Sequence, residues 1–467
     1  MARTAPAVPS PEAPGRLRSV PAAAALLTAL GALAGLGCGG LLPSGGPPPP
    51  AGPRFAPPPE RPPIAAPTVV RADESVPAVD GTAAPVVEWA EPADPLPVET
   101  VATLEFEAEY AMTRIEALAW SPDGSRLAVG GEVQDSGKEL FRCPTRIYLR
   151  EGTTFAPVGE AASGLIHGSG ANTNVADLAW SPDGGTLALA GAQNFATSLF
   201  DPDGTLRADL ETPADAVFAL AWRPAGDLLA VATAGPNLRA YAADGRALQT
   251  VGPAGPTLAF SPSGDRLVST APGGAVLWTV PAAGGAGEAG PLTATARLEL
   301  PTLPREIWPH GVGWSPGGGT LAVSQFGDGT VWLFDADGAP KSRLQGHEGS
   351  VWFTHYSADG VLATGGSDVT VRLWNPDGSP RATLRSGGQE DRQPMIDLAA
   401  WSPDGSLLAV VSPNRTIRLW NADGEPRATL SGHVGIISAL AWSPDGRLLA
   451  TADDDATTRV WAVPAAR

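Results

Sequence analysis

The chain has 467 residues, and its 56 glycines and 49 prolines exclude a helical protein. A formal net charge of −18, with no basic cluster along the chain, excludes the electrostatic footprint that nucleic acid requires. Two cysteines, Cys38 and Cys143, exclude both a framework of disulfides and a zinc site built on cysteine pairs.

Residues 1–37 read as an export signal. Arg16 and Arg18 precede an apolar stretch over 20–36, dominated by Ala, Leu and Gly, which ends in small residues before Cys38. The ending ALAGLGC resembles the lipobox of bacterial lipoproteins. That likeness implies acylation of Cys38 and a lipid anchor, although Gly35 stands where that family has a large aliphatic residue and Leu36 follows it. An ordinary cleaved signal and an uncleaved anchor are the other readings, and the apolar run is shorter than the roughly 20 residues a spanning helix takes.

Residues 38–97 hold no packable pattern. Twelve prolines lie between Pro43 and Pro67, and ten carboxylates between Asp73 and Glu109, with no Lys or Arg from Ala72 until Arg114. Such a composition predicts a disordered linker, Pro-rich and then acidic, able to act as a stalk.

From residue 98 a repeat takes over. A short apolar run ends on an aromatic and is followed by a four-residue turn, eight times. Trp120, Trp180, Trp401 and Trp442 precede SPDG, Trp222 precedes RPAG, Phe260 SPSG, Trp314 SPGG and Tyr356 SADG. Neighbouring aromatics lie 38 to 60 residues apart, around the ~40–45 of a four-stranded propeller blade. A third run in each unit also ends on an aromatic: Tyr148, Phe200, Tyr241, Trp278, Phe334, Trp374, Trp420 and Trp461. Five of these lead into a second Asp-Gly turn, a strong hairpin signal. The expected fold is all-β: a single eight-bladed β-propeller of four-stranded antiparallel blades over 98–467, behind a disordered leader and stalk. The eighth unit stops after its third strand. Residues 101–106 (VATLEF) read like the RATL fourth strands elsewhere, so they are expected to pair with 457–461 and close the ring, leaving no open edge there.

Units six and eight resemble WD-repeat blades, with Gly346-His347 and Gly432-His433 opening the unit and LWN or VWA closing it. The resemblance implies a buried hydrogen-bond network within a blade: His347, Thr364, Asp368 and Trp374 in unit six, and His433, Thr451, Asp455 and Trp461 in unit eight. Unit five keeps Ser324 and Asp328 but has Phe334 and Arg305 in place of the Trp and His. Unit seven has Val410 and Asn414 where the Thr and Asp would be.

No catalytic set emerges. The five histidines, His167, His310, His347, His355 and His433, show no metal-ligand spacing, and Asp453 to Asp455 read as a strand-connecting turn. No cofactor, metal or catalytic residue is expected. The longer loops 131–144, 161–174, 301–309 and 386–394 belong to one rim, here called the top, where a rigid frame would present them for binding. The opposite rim has mostly four-residue turns and one long exception, the Gly/Ala-rich 281–295. Four residues before each first-strand aromatic, a position that points to the top mouth in WD-repeat proteins, stand Glu116, Ala176, Phe218, Pro256, His310, Trp352, Asp397 and Ser438. His310, Trp352 and Asp397, flanked by loop residues Trp308 and Arg392, form the candidate protein-binding patch. The reading is a monomeric, non-enzymatic interaction scaffold of the bacterial cell envelope, touching membrane only through Cys38 and binding other proteins rather than nucleic acid. A cytoplasmic scaffold, a Tol-type envelope propeller and a ligand- or cofactor-binding propeller enzyme are the alternatives.

Overall fold

The computed structural model describes residues 67–105, 112–133, 144–162, 175–191, 197–210, 216–233, 237–282, 291–301, 309–385 and 396–464. The expected export signal, Cys38, Arg305, Trp308 and Arg392 lie outside the described residues. Eight antiparallel sheets of four strands follow one another along the chain. These are blades 1 to 8, spanning 112–162, 175–209, 217–251, 258–299, 312–345, 351–385, 399–430 and 437–462. The innermost strands neighbour one another in chain order and the eighth meets the first, so the ring is closed.

The turn chemistry explains why the units fold alike. In blade 1 the Ser121 hydroxyl donates to Asp123 (2.6 Å) and accepts the Arg126 amide (2.9 Å), while Gly124 takes a φ of +68°. The Ser-Asp contact recurs at Ser181-Asp183, Ser402-Asp404 and Ser443-Asp445. A carboxylate, a hydroxyl and a residue free to adopt positive φ are what a tight hairpin needs, so SPDG sets the inner hairpin locally.

The aromatic before each turn has a second task. The Trp180 indole N–H donates across the junction to the Ala119 carbonyl of blade 1 (3.1 Å). Trp120, Trp222, Trp314, Trp401 and Trp442 do the same to Ala441, Ala179, Ala259, His355 and Ala400 of the preceding blades. Six of the eight junctions are therefore clamped by an indole. The other two carry Phe260 and Tyr356 at that position.

The closing strand is where the sequence puts it. Strand Glu99–Glu105 pairs antiparallel with Thr457–Ala462, with Thr457 opposite Glu105 and Arg459 opposite Thr103. Residues 67–98, however, are not a disordered linker. They form a strap over the outer edges of successive blades, with strands β1 (Thr68–Arg71), β2 (Ala78–Asp80) and β3 (Val86–Glu88). These add parallel fifth strands to blades 4, 5 and 6. The Leu96 amide then bonds the Arg427 carbonyl of blade 7 (2.9 Å) before the chain enters blade 8. Ala72, Val76 and Ala84 are buried within this acidic tract. Pro77 and Pro85 sit where only a carbonyl is asked for, accepting from Arg343 and Thr383 (2.9 and 2.8 Å). The composition reads as hydrated because only every few residues turns inward; the prolines and carboxylates fall on the solvent side or at acceptor positions.

Gly81 fixes the strap at the junction of blades 5 and 6. A β-carbon there would collide with the Trp374 ring and lie 2.6 Å from the Gln345 carbonyl, and the Arg372 guanidinium donates to the Gly81 carbonyl (2.8 Å). Gly81→Val is expected to lift this part of the strap, lowering stability by about 1–3 kcal/mol. Hydrogen exchange should then quicken over 78–89 and leave blades 1 to 3 as protected as before; unchanged exchange at 78–89 would show that the strap tolerates the side chain.

Candidate functional site

Two sets of polar and aromatic side chains compete for a functional reading, and geometry separates them. The first is the network inside blades. In blade 6, His347 Nδ1 meets Asp368 (3.0 Å) and Nε2 meets Thr364 Oγ1 (2.9 Å), which also accepts the Trp374 indole N–H (3.0 Å). The four expected residues are brought together. In blade 8, His433 Nε2 meets Thr451 (2.7 Å) and the Trp461 indole donates to Thr451 (2.8 Å), but the carboxylate on His433 Nδ1 belongs to Asp453 (2.8 Å). Asp455 is not a member. Two residues after the threonine, blade 6 has Gly366, where a β-carbon would press on both His347 and Asp368; the missing side chain leaves room for Asp368 to reach in from the turn. Blade 8 has Asp453 at that place, and its own carboxylate fills the space.

The other blades keep fragments. The Trp278 indole donates to Ser269 in blade 4 (2.9 Å). In blade 5 the Ser324 hydroxyl accepts the Gly311 amide (2.7 Å), and Gln325 links Trp332 (2.7 Å) to Asp328 (2.8 Å). In blade 7, with Val410 at the threonine position, the buried Trp420 indole N–H has no acceptor among the described residues. The strap covers it instead: the Trp89 ring meets Trp420 edge-on at 4.8 Å, with the Arg418 guanidinium 4.8 Å from the Trp89 ring centre.

These networks are buried and internally paired, so their role is to hold blades together. Burial pushes the Asp368 carboxyl up, but the His347 hydrogen bond and charge, with the Glu348 amide, outweigh it and hold the group at about 2. A depressed carboxyl contributes stability that is complete above its unfolded value of about 4 and is lost as pH falls toward 2. Asp368→Asn should remove roughly 2 kcal/mol at pH 7 and lose less stability than the parent between pH 4 and 2, which acid unfolding monitored by Trp fluorescence measures. An equal pH slope in both proteins would contradict the assignment.

The second set lies at the top mouth. His310 and Trp352, on adjacent blades, meet with ring centres 4.6 Å apart. Phe326, in the blade 5 turn after Gln325, completes a triad at 5.3 Å from His310 and 6.1 Å from Trp352. Phe326 carried no signal beyond being an aromatic in an otherwise small and polar turn, QFGDG. The Trp352 indole N–H has no acceptor among the described residues. Burial lowers His310 to about 4, so the ring is neutral at physiological pH. Asp397 stands one blade on, before strand Ala399–Trp401, and burial pushes its carboxyl up. No hydrogen bond or ion pair joins it to the aromatic pair among the described residues. The remaining mouth positions are quieter: Glu116 pairs with Arg114 (3.0 Å), and Ser438 donates to the Ile115 carbonyl (2.5 Å).

Sequence reasoning also missed Asp177 on the inner strand of blade 2. It accepts the Leu178 and Leu220 amides (2.8 and 2.9 Å), tying blade 2 to blade 3, while desolvation raises its carboxyl to about 6. A lone acid in the run VADLAW was the available signal. Among the described residues no group of three or more His, Cys, Asp or Glu is placed to hold a metal ion.

Three stretches, 338–375, 383–421 and 424–462, match the family model described as WD domain, G-beta repeat. A probable cytosolic iron-sulfur protein assembly protein Ciao1 from Culex quinquefasciatus is 40% identical over 70 residues, 15% of this chain and 21% of that protein. The match thus spans about a fifth of that relative. Among solved structures, the C-terminal WD40 domain of Sif2 superposes with a TM-score of 0.62 at 18% identity, covering 79% of this chain and 98% of the other. Sqt1 from Chaetomium thermophilum gives 0.60 at 16% identity, covering 79% and 100%. The computationally designed Ika8 protein gives 0.56 at 17% identity, covering 76% and 98%. At such identities the likeness is one of fold.

Proposed function

We propose that this propeller with WD-type repeats is a non-catalytic platform for another protein, which docks on the top mouth around His310, Phe326 and Trp352. One observation carries the reading: three aromatic rings, His310, Phe326 and Trp352, converge at the mouth of a rigid ring. A half-buried tryptophan presenting part of its ring is the profile of an interface anchor, whereas the histidine networks inside the blades have spent their donors and acceptors. Asp397 belongs to the proposal as a charged neighbour one blade on, and Trp308 and Arg392, outside the described residues, enter it from the sequence alone.

Truncating such an anchor costs at least about 2 kcal/mol of binding, or roughly a thirtyfold loss of affinity. Proximity labelling in cells with Trp352→Ala beside the parent is the test: a set of neighbours present with the parent should vanish with the variant at equal expression. Identical neighbour sets would remove the top-mouth reading.

The location we propose is the cell envelope, with export by residues 1–37 and a lipid on Cys38. It rests on Arg16 and Arg18 ahead of the apolar run and on the small residues before the cysteine. Radiolabelled palmitate should enter the parent and be absent from Cys38→Ala. Equal labelling of both, or of neither, would leave a cleaved signal or a cytoplasmic scaffold as the better account, and cell fractionation distinguishes those two.

A further inference from the structure

The bottom rim is regular enough for one irregularity to carry meaning. Each blade's inner turn glycine faces the proline of the preceding blade's turn. A β-carbon on Gly184 would lie 3.6 Å from Pro122, on Gly318 3.6 Å from Pro262, and on Gly446 3.7 Å from Pro403. Seven of the eight junctions show this neighbour, with Ala358 in the proline's place where blade 7 meets blade 6. The exception is the junction of blades 5 and 6, where Gly360 faces Pro376 of its own blade. The cause is in the chain. In blade 6 the Ser357 amide bonds the carbonyl four residues on, Val361, whereas in blade 5 Ser315 bonds Thr320, five on. The blade 6 turn is a residue shorter and draws back from its neighbour.

The same junction has lost its indole clamp, because Tyr356 stands where six other blades place tryptophan. Phe260 breaks the clamp between blades 3 and 4 as well, but there the chain supplies a replacement. Arg223, buried in the RPAG turn, donates across the junction to the Gly264 and Pro281 carbonyls (2.9 and 3.1 Å) and holds Asp227 (3.1 Å). Among the described residues no such replacement occurs at the blade 5–6 bottom. A cavity of about 240 Å³ opens there, lined by Ser315, Pro316, Gly317, Tyr356, Asp359 and Pro376 among others.

We propose that this cavity receives an arginine side chain of a partner protein. Relative to the clamped junctions it lacks a planar group that donates N–H, and a guanidinium is such a group. The lining offers acceptors. Gly317 replaces the turn aspartate, so the Ser315 hydroxyl has no carboxylate beside it and only accepts, from the Thr320 amide (3.0 Å). Asp359 makes no hydrogen bond or ion pair among the described residues, although the Ser357 hydroxyl accepts the Val361 amide (3.0 Å) as its counterparts do in other turns. Pro316, Pro376 and the tyrosine ring supply apolar walls for the methylene stem, and Asp359 at the lip supplies the opposite charge. The site is on the rim opposite His310 and Trp352 and stands independently of what binds there.

The test titrates the full chain calorimetrically with acetyl-Gly-Arg-Gly-amide and with the same peptide carrying citrulline, which keeps the shape and removes the charge. The arginine peptide should bind at least about tenfold more tightly than the citrulline peptide. Asp359→Asn, an exposed substitution, should weaken it by about tenfold or more. Tyr356→Trp, which restores the clamp, should abolish binding and raise the melting temperature. Trp352→Ala should leave the affinity as it is. Equal binding of the two peptides, no binding by the parent at millimolar peptide, or full affinity in Asp359→Asn would overturn the proposal. Should Tyr356→Trp melt below the parent, the Asp359→Asn comparison alone decides.

Discussion

Neighbouring blades of a propeller share no hydrogen-bonded ladder, so every junction has to be held by side chains, and apolar packing alone lets two sheets slide. Here the directional link is an indole N–H donated from the end of one inner strand to a carbonyl of the strand before it, at 3.1–3.2 Å in six junctions. Each such bond contributes about 1 kcal/mol net. Six of them are on the order of the whole net stability of a domain. The bond also fixes register, because the acceptor is always the residue just before the preceding blade's own aromatic. Turn, strand length and blade spacing follow from it: SPDG places the tryptophan at the strand end, and the tryptophan places the next blade.

The strap solves a different problem. The outer edge of a blade exposes unpaired amides and carbonyls, and the chain covers this edge on blades 4, 5 and 6 with its own β1, β2 and β3. Among the described residues blades 1 and 2 have no fifth strand and carry ion pairs at their outer strands instead, Arg146 with Glu160 (2.9 Å) and Arg207 with Asp201 (2.5 Å). An acidic tract is well suited to the strapped side. Arg71 meets Glu299, Arg385 meets Glu88, and the Arg343 and Arg372 guanidinium groups reach the strap's carbonyls. These exposed pairs contribute little alone; the buried Ala72, Val76 and Ala84 give the strap its hold.

The ring was legible because a propeller blade is built from local hairpins, so a repeated aromatic and a repeated turn in the sequence are also repeated in space. Closure was legible by counting, since an eighth unit short of a strand and a RATL-like stretch before the first unit have one economical solution. The strap was not, because parallel edge strands of three or four residues have no alternation to detect. Their carboxylates and prolines imitate a hydrated linker. Asp455 was misassigned for a related reason: spacing from Thr451 copies blade 6, but which carboxylate reaches the histidine depends on whether Gly366 or Asp453 occupies the intervening position. Phe326 escaped because a turn residue's direction is set by the neighbouring blade. That His310 and Trp352 meet follows from strand position, which sets both at the entry to the inner strands of adjacent blades.

The junction of blades 5 and 6 departs from the repeat at both ends. On the top, the His310 and Trp352 rings meet at a tilt across it; on the bottom, Tyr356 and the shortened turn open the cavity. A junction without its clamp should be the weakest in the ring, yet the structure reinforces it twice by other means. Inside, Gly311 and Gly313 let the backbone of blade 5 approach Thr354 of blade 6 so closely that a β-carbon on either would lie 2.9 Å or less from it. Outside, Gly81 of the strap wedges between Gln345 of blade 5 and Trp374 of blade 6, held by Arg372. Glycine at three positions thus substitutes close backbone approach for an indole hydrogen bond, which frees both ends of this junction from the structural task that tryptophan performs elsewhere. Because each blade folds from its own hairpins, the alteration stays local, and the ring tolerates a junction held by close backbone approach beside six that are held by an indole.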